Sequence, residues 1–309
     1  MVTEKLDKTL EELCPLDNFV KVVEMGNVTE ILHMERRNTK ATIKMLEGGE
    51  RYVNLSTGEI LPVQKHDSRK EQKNSLYRTF QNARALINTN VTDVEKVRWI
   101  TLTYAENMTD TKRLYDDFRK FNMRFQYYCE KHGYGKAEYI VMMEPQGRGA
   151  WHCHLLYIWQ HNAPYIPNQE LAELWQQGFV KIKKLDDVDN VGAYLTAYLG
   201  DMEITEIDKL KGSQYTLKTV EIEENGQKVK KSYIKGARLE FYPAKFNMIR
   251  HSKGVKQPTE TYMTLEDAKK KVLGATKTFE SSVKISDDAN GFNNVISKAY
   301  YNSKRKETQ

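Results

Sequence analysis

His152 and His154 stand two residues apart in GRGAWHCHLLYIW (147–159), an otherwise apolar run that follows a glycine-rich turn. On a β-strand, side chains at i and i+2 share a face, so the two imidazoles sit together while Trp151, Cys153 and Leu155 face the other way. Two ring nitrogens on one rigid strand make two legs of a metal site. Glu144 offers a third. It ends the preceding apolar run, AEYIVMMEP (137–145), and the turn PQGRGA brings it roughly opposite Trp151 and His152. A His–His–carboxylate set without thiolate suits Mn2+ or Mg2+ and leaves positions open for polarising a phosphoryl oxygen. Taken alone, two histidines on a strand also fit simple packing; the glycine turn, the apolar flanks and the carboxylate at hairpin distance favour the ligand reading.

Downstream, NVGAYLTAYLGD (190–201) presents Tyr194 and Tyr198 four residues apart, on one helix face. A phenol held beside a phosphate and relieved of its proton can attack phosphorus. Tyr194, Leu195, Tyr198 and Leu199 would equally suit a helix packed on a sheet. The next segment, KVKKSYIKGARLEFYPAKFNMIRHSKGVK (228–256), carries nine Lys or Arg against Glu240 alone, with Tyr233, Phe241, Tyr242 and Phe246 interleaved. Cations neutralise phosphates and aromatic faces stack on unpaired bases, so this composition suits single-stranded or hairpin DNA. Lys235, Arg238, Lys245, Arg250 and Lys253 are the candidate DNA contacts, with Arg148 from the hairpin turn.

The elements that must position these groups alternate along the chain. VRWITLTYA (97–105) reads as a strand, 110–133 as an amphipathic helix with Leu114, Phe118, Phe121 and Phe125 inward, and 137–145 with 151–159 as an antiparallel hairpin. A short helix (167–178), a strand (179–185) and the tyrosine helix (187–201) follow. The expected class is α+β, a mainly antiparallel central sheet flanked by helices, with N- and C-terminal extensions. Residues 1–90 form the N-terminal extension, with β-like pieces up to 66 and a helix over 68–89 carrying Leu76, Phe80, Ala83 and Ile87 inward. Residues 91–256 form the central domain, with a loop-like excursion over 202–227. Residues 257–309 read as a small helical tail.

At 309 residues the chain can hold one large domain or two modest ones. A formal charge of +6 with pI about 8.9 permits a polyanionic partner without requiring one. Cys14, Cys129 and Cys153 are scattered and lack CxxC spacing, which argues against a disulfide framework or a cysteine zinc site. The first residues show no signal peptide and no apolar run spans a membrane, so a cytoplasmic location is expected.

GRGAWHCHLLYIW resembles the His-hydrophobe-His motif of HUH endonucleases, with Cys153 in the middle slot. The chain is most similar to rolling-circle replication initiators (Rep proteins) of Gram-positive plasmids and related phages, specifically over about 97–256. WITLTYAEN (99–107) resembles their first motif, whose implied role is support of the sheet edge beside the active site. RLEFYPAKFNMIRHSKGVKQP resembles the stretch after their tyrosine helix, with Arg250, Ser252 and Lys253 as phosphate contacts. The resemblance implies the HUH endonuclease fold, a divalent metal (Mn2+ or Mg2+) on His152, His154 and Glu144, and nicking of origin DNA through a 5′-phosphotyrosine on Tyr198, with Tyr194 as second nucleophile or assistant. A host helicase and DNA polymerase are the implied partners, since no GxxxxGK[ST] motif is present. The N-terminal residues, including Arg36, Arg37 and Lys40, are similar to the leader of these initiators and point to recognition of the double-stranded origin or to a solvated turn.

The sequence departs from the family's Tyr-x-x-Lys: Ala197 follows Tyr194 by three and Asp201 follows Tyr198 by three. Either Lys183, Lys184 or a residue of the later basic segment supplies that cation, or the activity is weakened. Other readings are a non-catalytic origin-binding or copy-control protein on the same scaffold, an HUH transposase, and, less favoured, a metal-dependent hydrolase that uses no tyrosine.

Overall fold

The computed structural model describes residues 2–37, 42–63, 73–146, 149–186, 190–196, 202–203, 217–224, 227–234, 239, 241–243, 246–287, 289 and 291–305. For residues 73, 74, 76, 77, 194, 202–203, 217–224 and 227–234 it describes the backbone alone. The chain forms two compact units: Met1–His66 together with Thr259–Gln309, and Asp67–Pro258.

The first unit opens with β1 (Val2–Leu6), α1 (Leu10–Leu13), β2 (Phe19–Met25), β3 (Val28–Met34), β4 (Ile43–Met45), β5 (Arg51–Asn54) and β6 (Ile60–Pro62). The second runs through α2 (Lys73–Asn90), β7 (Val97–Thr103), α3 (Thr111–Lys131), β8 (Glu138–Pro145), β9 (Trp151–Ile158), α4 (Asn168–Trp175), β10 (Val180–Lys183), α5 (Val191–Thr196), β11 (Met202–Glu203), β12 (Leu217–Glu224), β13 (Gln227–Ile234) and β14 (Ile249–His251). The chain then returns to the first unit as β15 (Thr259–Thr264), α6 (Leu265–Lys271), β16 (Thr276–Asp287) and β17 (Phe292–Asn302).

In the first unit a six-stranded antiparallel sheet has the order β1-β16-β17-β3-β2-β15, beside a small β4-β5-β6 meander. Leu10 from α1 and Cys14 just after it, with Leu265 and Ala268 from α6, bury against Val20, Val22, Ile31 and Ala299. The expected helical tail is therefore mostly strand. Among its described residues α6 is the one α-helix, started by Thr264, whose hydroxyl accepts from the Asp267 amide. Residues 276–302 are rich in Val, Ile, Thr and aromatics, and pairing with β1 and β3 from the far end of the sequence settles them as strands.

The second unit is built on an all-antiparallel sheet of order β10-β7-β9-β8-β14. The histidine strand β9 is central. β7, expected to support an edge, lies inside the sheet against β9; the edges are β10 and β14. One face is covered by α3, which Asp110 starts by accepting from the Lys112 and Arg113 amides. Leu114, Phe118, Phe121, Phe125 and Cys129 of α3 pack on Ile100, Leu102, Val141, Met143, Cys153, Leu155 and Tyr157. Phe125 and Tyr157 stack with centroids 4.1 Å apart. Each such side chain contributes roughly 1.5–3 kcal/mol of burial. Cys153 and Cys129 are free and belong to this core, where burial pushes the Cys129 thiol up to about 12.

The opposite face is roofed over part of its length by α2 and α5. Leu86 and Ile87 of α2 and Val191 and Leu195 of α5 cluster with Val97, Ile140, Met142 and Leu156. The α2 helix, placed by sequence in an N-terminal extension, thus belongs to the unit with the histidine sheet. The expected 202–227 excursion contains a regular strand, β12, which pairs with β13 and sets Glu221 opposite Lys230 and Glu223 opposite Lys228. Part of the basic run is therefore matched by acids across a hairpin, the favourable arrangement for cross-strand charges. Among the described residues no helix is long and apolar enough to cross a membrane.

Candidate active site

β7, β8 and β9 place their alternating side chains on two faces, and the register decides which groups meet. Glu144 stands directly opposite His152, Met142 opposite His154, Thr101 opposite His154, and Thr103 opposite His152. Directly opposed residues share a face, so Glu144, His152, His154, Thr101 and Thr103 all lie on the face that α2 and α5 partly roof. The strand begins firmly: the Trp151 amide donates to the Met108 carbonyl at 3.0 Å and its indole N–H to the Thr109 carbonyl at 3.1 Å.

His154 is held on three sides. Its Nε2 lies 2.8 Å from a Glu144 carboxylate oxygen and its Nδ1 lies 3.3 Å from the Thr101 hydroxyl. Trp99 covers the ring at a centroid distance of 5.5 Å. An imidazole with its proton on Nε2 donates to Glu144 and accepts from Thr101; a hydroxyl can reverse its role, so Thr101 serves either tautomer. The His152 and His154 rings are 6.2 Å apart. Glu144 is only 6% exposed, so its contact with His154 is sheltered from water, where electrostatic interactions are stronger. As they stand, the described residues hold no group of three or more His, Cys, Asp or Glu set to grip one ion. The donor chemistry nevertheless fits a divalent cation: two imidazoles and a carboxylate share one face, and the Cys153 thiol is turned into the opposite core.

The tyrosine-bearing helix α5 is fixed on this same face by α2. The Asn88 side chain accepts from the Gly192 amide at 2.7 Å and donates to Asn190 at 2.8 Å, satisfying the first turn. Arg84 Nε donates to the Thr196 hydroxyl at 2.9 Å. Gly192 lets the helices touch, since a Cβ there would lie 2.4 Å from the Arg84 carbonyl oxygen. The backbone of Tyr194 lies within α5; its side chain and the whole of Tyr198 lie outside the described residues, as do Ala197 and Asp201.

The proposed DNA contacts separate. Arg148, Lys235, Arg238, Lys245 and Lys40 lie outside the described residues. Arg250 opposes Val141, hence points to the α3 face, away from the histidines, with its guanidinium 3.6 Å from the Tyr115 ring centroid. Burial raises the Tyr115 phenol, and Arg250 opposes that rise. Lys253 is exposed in the turn after β14, and the Ser252 hydroxyl accepts from the Tyr139 amide at 2.8 Å. Arg37 donates to the Phe19 carbonyl at 2.9 Å and lies over Tyr262. Lys184 pairs with Glu95 at 3.1 Å, whereas Lys183 opposes Trp99 and so shares the histidine face. Sequence reasoning missed Thr101, Asn88, Arg84 and Gly192. The period of two in WITLT places Thr101 beside a histidine once β7 is known to neighbour β9, but no local pattern supplies that neighbour.

No curated protein and no solved structure matches this chain. A sequence model of the replication-associated protein family of the ORF2 type matches residues 97–203, the stretch from β7 through the histidine strand and α5 to β11, and this supports a replication initiator.

Proposed function

We propose that this chain is a rolling-circle replication initiator of the HUH endonuclease type, a site-specific nicking and closing enzyme acting on single-stranded origin DNA. The reading rests on one juxtaposition: His152, His154 and Glu144 share a sheet face with the helix that carries Tyr194, inside the stretch similar to replication-associated proteins. His152, His154 and Glu144 would hold a divalent ion, Mn2+ or Mg2+, which when bound draws electron density from a phosphoryl oxygen.

The chain's own residues supply orientation and the nucleophile. Thr101 fixes the His154 ring and accepts a hydrogen bond from Nδ1–H when Nε2 gives up its own proton. Asn88, Arg84 and Gly192 seat α5 on the face that carries the histidines, and a phenol of the Tyr194/Tyr198 segment would supply the nucleophile. The Tyr198 oxygen forms the new bond to phosphorus, the bond from phosphorus to the 3′ oxygen breaks, and the phenol's proton ends on that oxygen. The products are a 5′-phosphotyrosyl link and a free 3′-hydroxyl for a polymerase. Tyr194 attacks in the same way in a second transfer.

The test is a labelled single-stranded origin oligonucleotide incubated with Mn2+ and run on a denaturing gel. A covalent protein–DNA band is expected, abolished by EDTA, by His152→Ala and by the Tyr194→Phe/Tyr198→Phe double change. A mobility shift under native conditions with no covalent band on the gel would instead indicate a non-catalytic origin-binding protein.

A further inference from the structure

The +6 formal charge is not spread over the chain. Residues 67–258 hold 30 Lys or Arg against 24 Asp or Glu, while the remainder holds 18 against 18, so the whole excess lies in the unit with the histidine sheet. Within that unit the edge strand β10 carries an exposed row. Val180 and Ile182 pack on the α3-side core, so alternation turns Lys181 and Lys183 to the histidine face. The register agrees: Lys181 opposes Thr101, the residue that holds His154, and Lys183 opposes Trp99. Phe179 continues the alternation just before the strand, its carbonyl accepting from the Thr103 amide at 2.9 Å, and its side chain is 71% exposed. Among the described residues neither Lys181 nor Lys183 has a carboxylate partner, unlike Lys184 on Glu95.

We infer that Phe179, Lys181 and Lys183 form a docking rail for single-stranded DNA along β10, and that Lys181 supplies the phosphate-neutralising cation that Ala197 and Asp201 do not. The inference rests on the DNA-cleaving reading of the site. Lys181 and Lys183 recur about 6.6 Å apart along the strand, on the scale of neighbouring phosphates in an extended single strand. Phe179 offers an open π-face at the end of that row, a sequence-tolerant platform for an unpaired base. Two strand spacings, about 10 Å, separate β10 from β9, so a nucleic-acid strand on the rail passes alongside the imidazoles. Gly178 makes the rail possible. A Cβ there would lie 2.4 Å from the Ala105 amide nitrogen, and without one the chain runs close enough for β10 to pair with β7.

The experiment measures fluorescence anisotropy of a labelled oligothymidine, longer than the roughly 4–16 nucleotides such a platform covers, in EDTA over a range of salt. The full-length Lys181→Ala/Lys183→Ala protein should bind at least tenfold more weakly. Its log–log salt slope should be shallower by about 1.4, the value for two single-strand phosphates. Phe179→Ala should bind at least fivefold more weakly with the slope unchanged. Lys184→Ala should match wild type, and Lys181→Arg/Lys183→Arg should recover most of the affinity. Rail variants within twofold of wild type in affinity and slope overturn the inference, as does wild-type protein that fails to bind the oligonucleotide. If wild type binds through the rail yet never forms the covalent band, the rail stands and the cleavage reading fails.

Discussion

Gly192→Ala should destabilise the second unit, although alanine is the better helix former. In an open helix position the change would add about 1 kcal/mol of stability. Here the new Cβ would lie 2.4 Å from the Arg84 carbonyl oxygen and 2.9 Å from Arg84 Cα, both backbone atoms of α2. Reaching ordinary contact requires α5 to move off α2 by about 1 Å. Overpacking of this kind costs about 1–3 kcal/mol, and stretching the 2.7 Å bond from the Gly192 amide to Asn88 removes about 1 kcal/mol more. The net loss is about 1–3 kcal/mol, a fall in Tm of roughly 2–12 °C for a unit of this size. The same displacement carries the tyrosine helix with it, and a 1 Å misplacement of a reacting group lowers rate by about a hundredfold. Thermal unfolding by circular dichroism and the rate of covalent-band formation check both parts. A Tm equal to or above wild type would show that the α2–α5 contact is looser than described and would refute the reasoning.

Two further outcomes follow from particular groups. Thr101→Val keeps the shape of the side chain but removes the hydroxyl 3.3 Å from His154 Nδ1, and should raise the Mn2+ concentration needed for half-maximal covalent band by about 10–100-fold; an unchanged metal titration counts against the site. His33, buried in the first unit, is held below the ordinary histidine pKa of 6.5 chiefly by desolvation, with Arg37 adding to the lowering and Glu35 opposing it. A depressed pKa means the unfolded chain binds the proton more readily. The stability this group contributes is therefore complete above 6.5 and is lost as pH falls from there through the folded value. Tm should drop between about pH 7.5 and pH 5, and His33→Gln should flatten that drop; equal slopes in the two proteins would exclude His33 as the cause.

What the sequence made legible was local. The β8–β9 hairpin follows from two alternating apolar runs about a glycine turn, and its register sets Glu144 against His152 because hairpin pairing depends on neighbours only a few residues away. The α3 helix was equally plain, its Leu114–Phe125 stripe repeating at helical spacing. What stayed hidden depended on distant partners. The helix expected over 68–89 gave no sign that Asn88 and Gly192, 104 positions apart, would bond. The resemblance implies a phosphate contact for Arg250, whereas its register pairing with Val141 places it on the α3 face, away from the histidines. The acidic and basic stretches around 221–231 read as an excursion followed by a binding segment, whereas the register of β12 on β13 sets them side by side as paired strands. The strands β16 and β17 were mistaken for a helical tail because their partners lie near the beginning of the chain.

The first unit's sheet also constrains the order of assembly. β2 and β3 leave the ribosome early, yet the strand that covers β3 on its far side, β17, is made only after the entire second unit. Until then that early hairpin carries a bare ladder of amides and carbonyls, the feature that recruits stray strands. The inserted unit can complete its own sheet from contiguous chain in the meantime, so the middle can fold before the sheet that flanks it is whole, with a waiting, adhesive edge as the cost of that architecture.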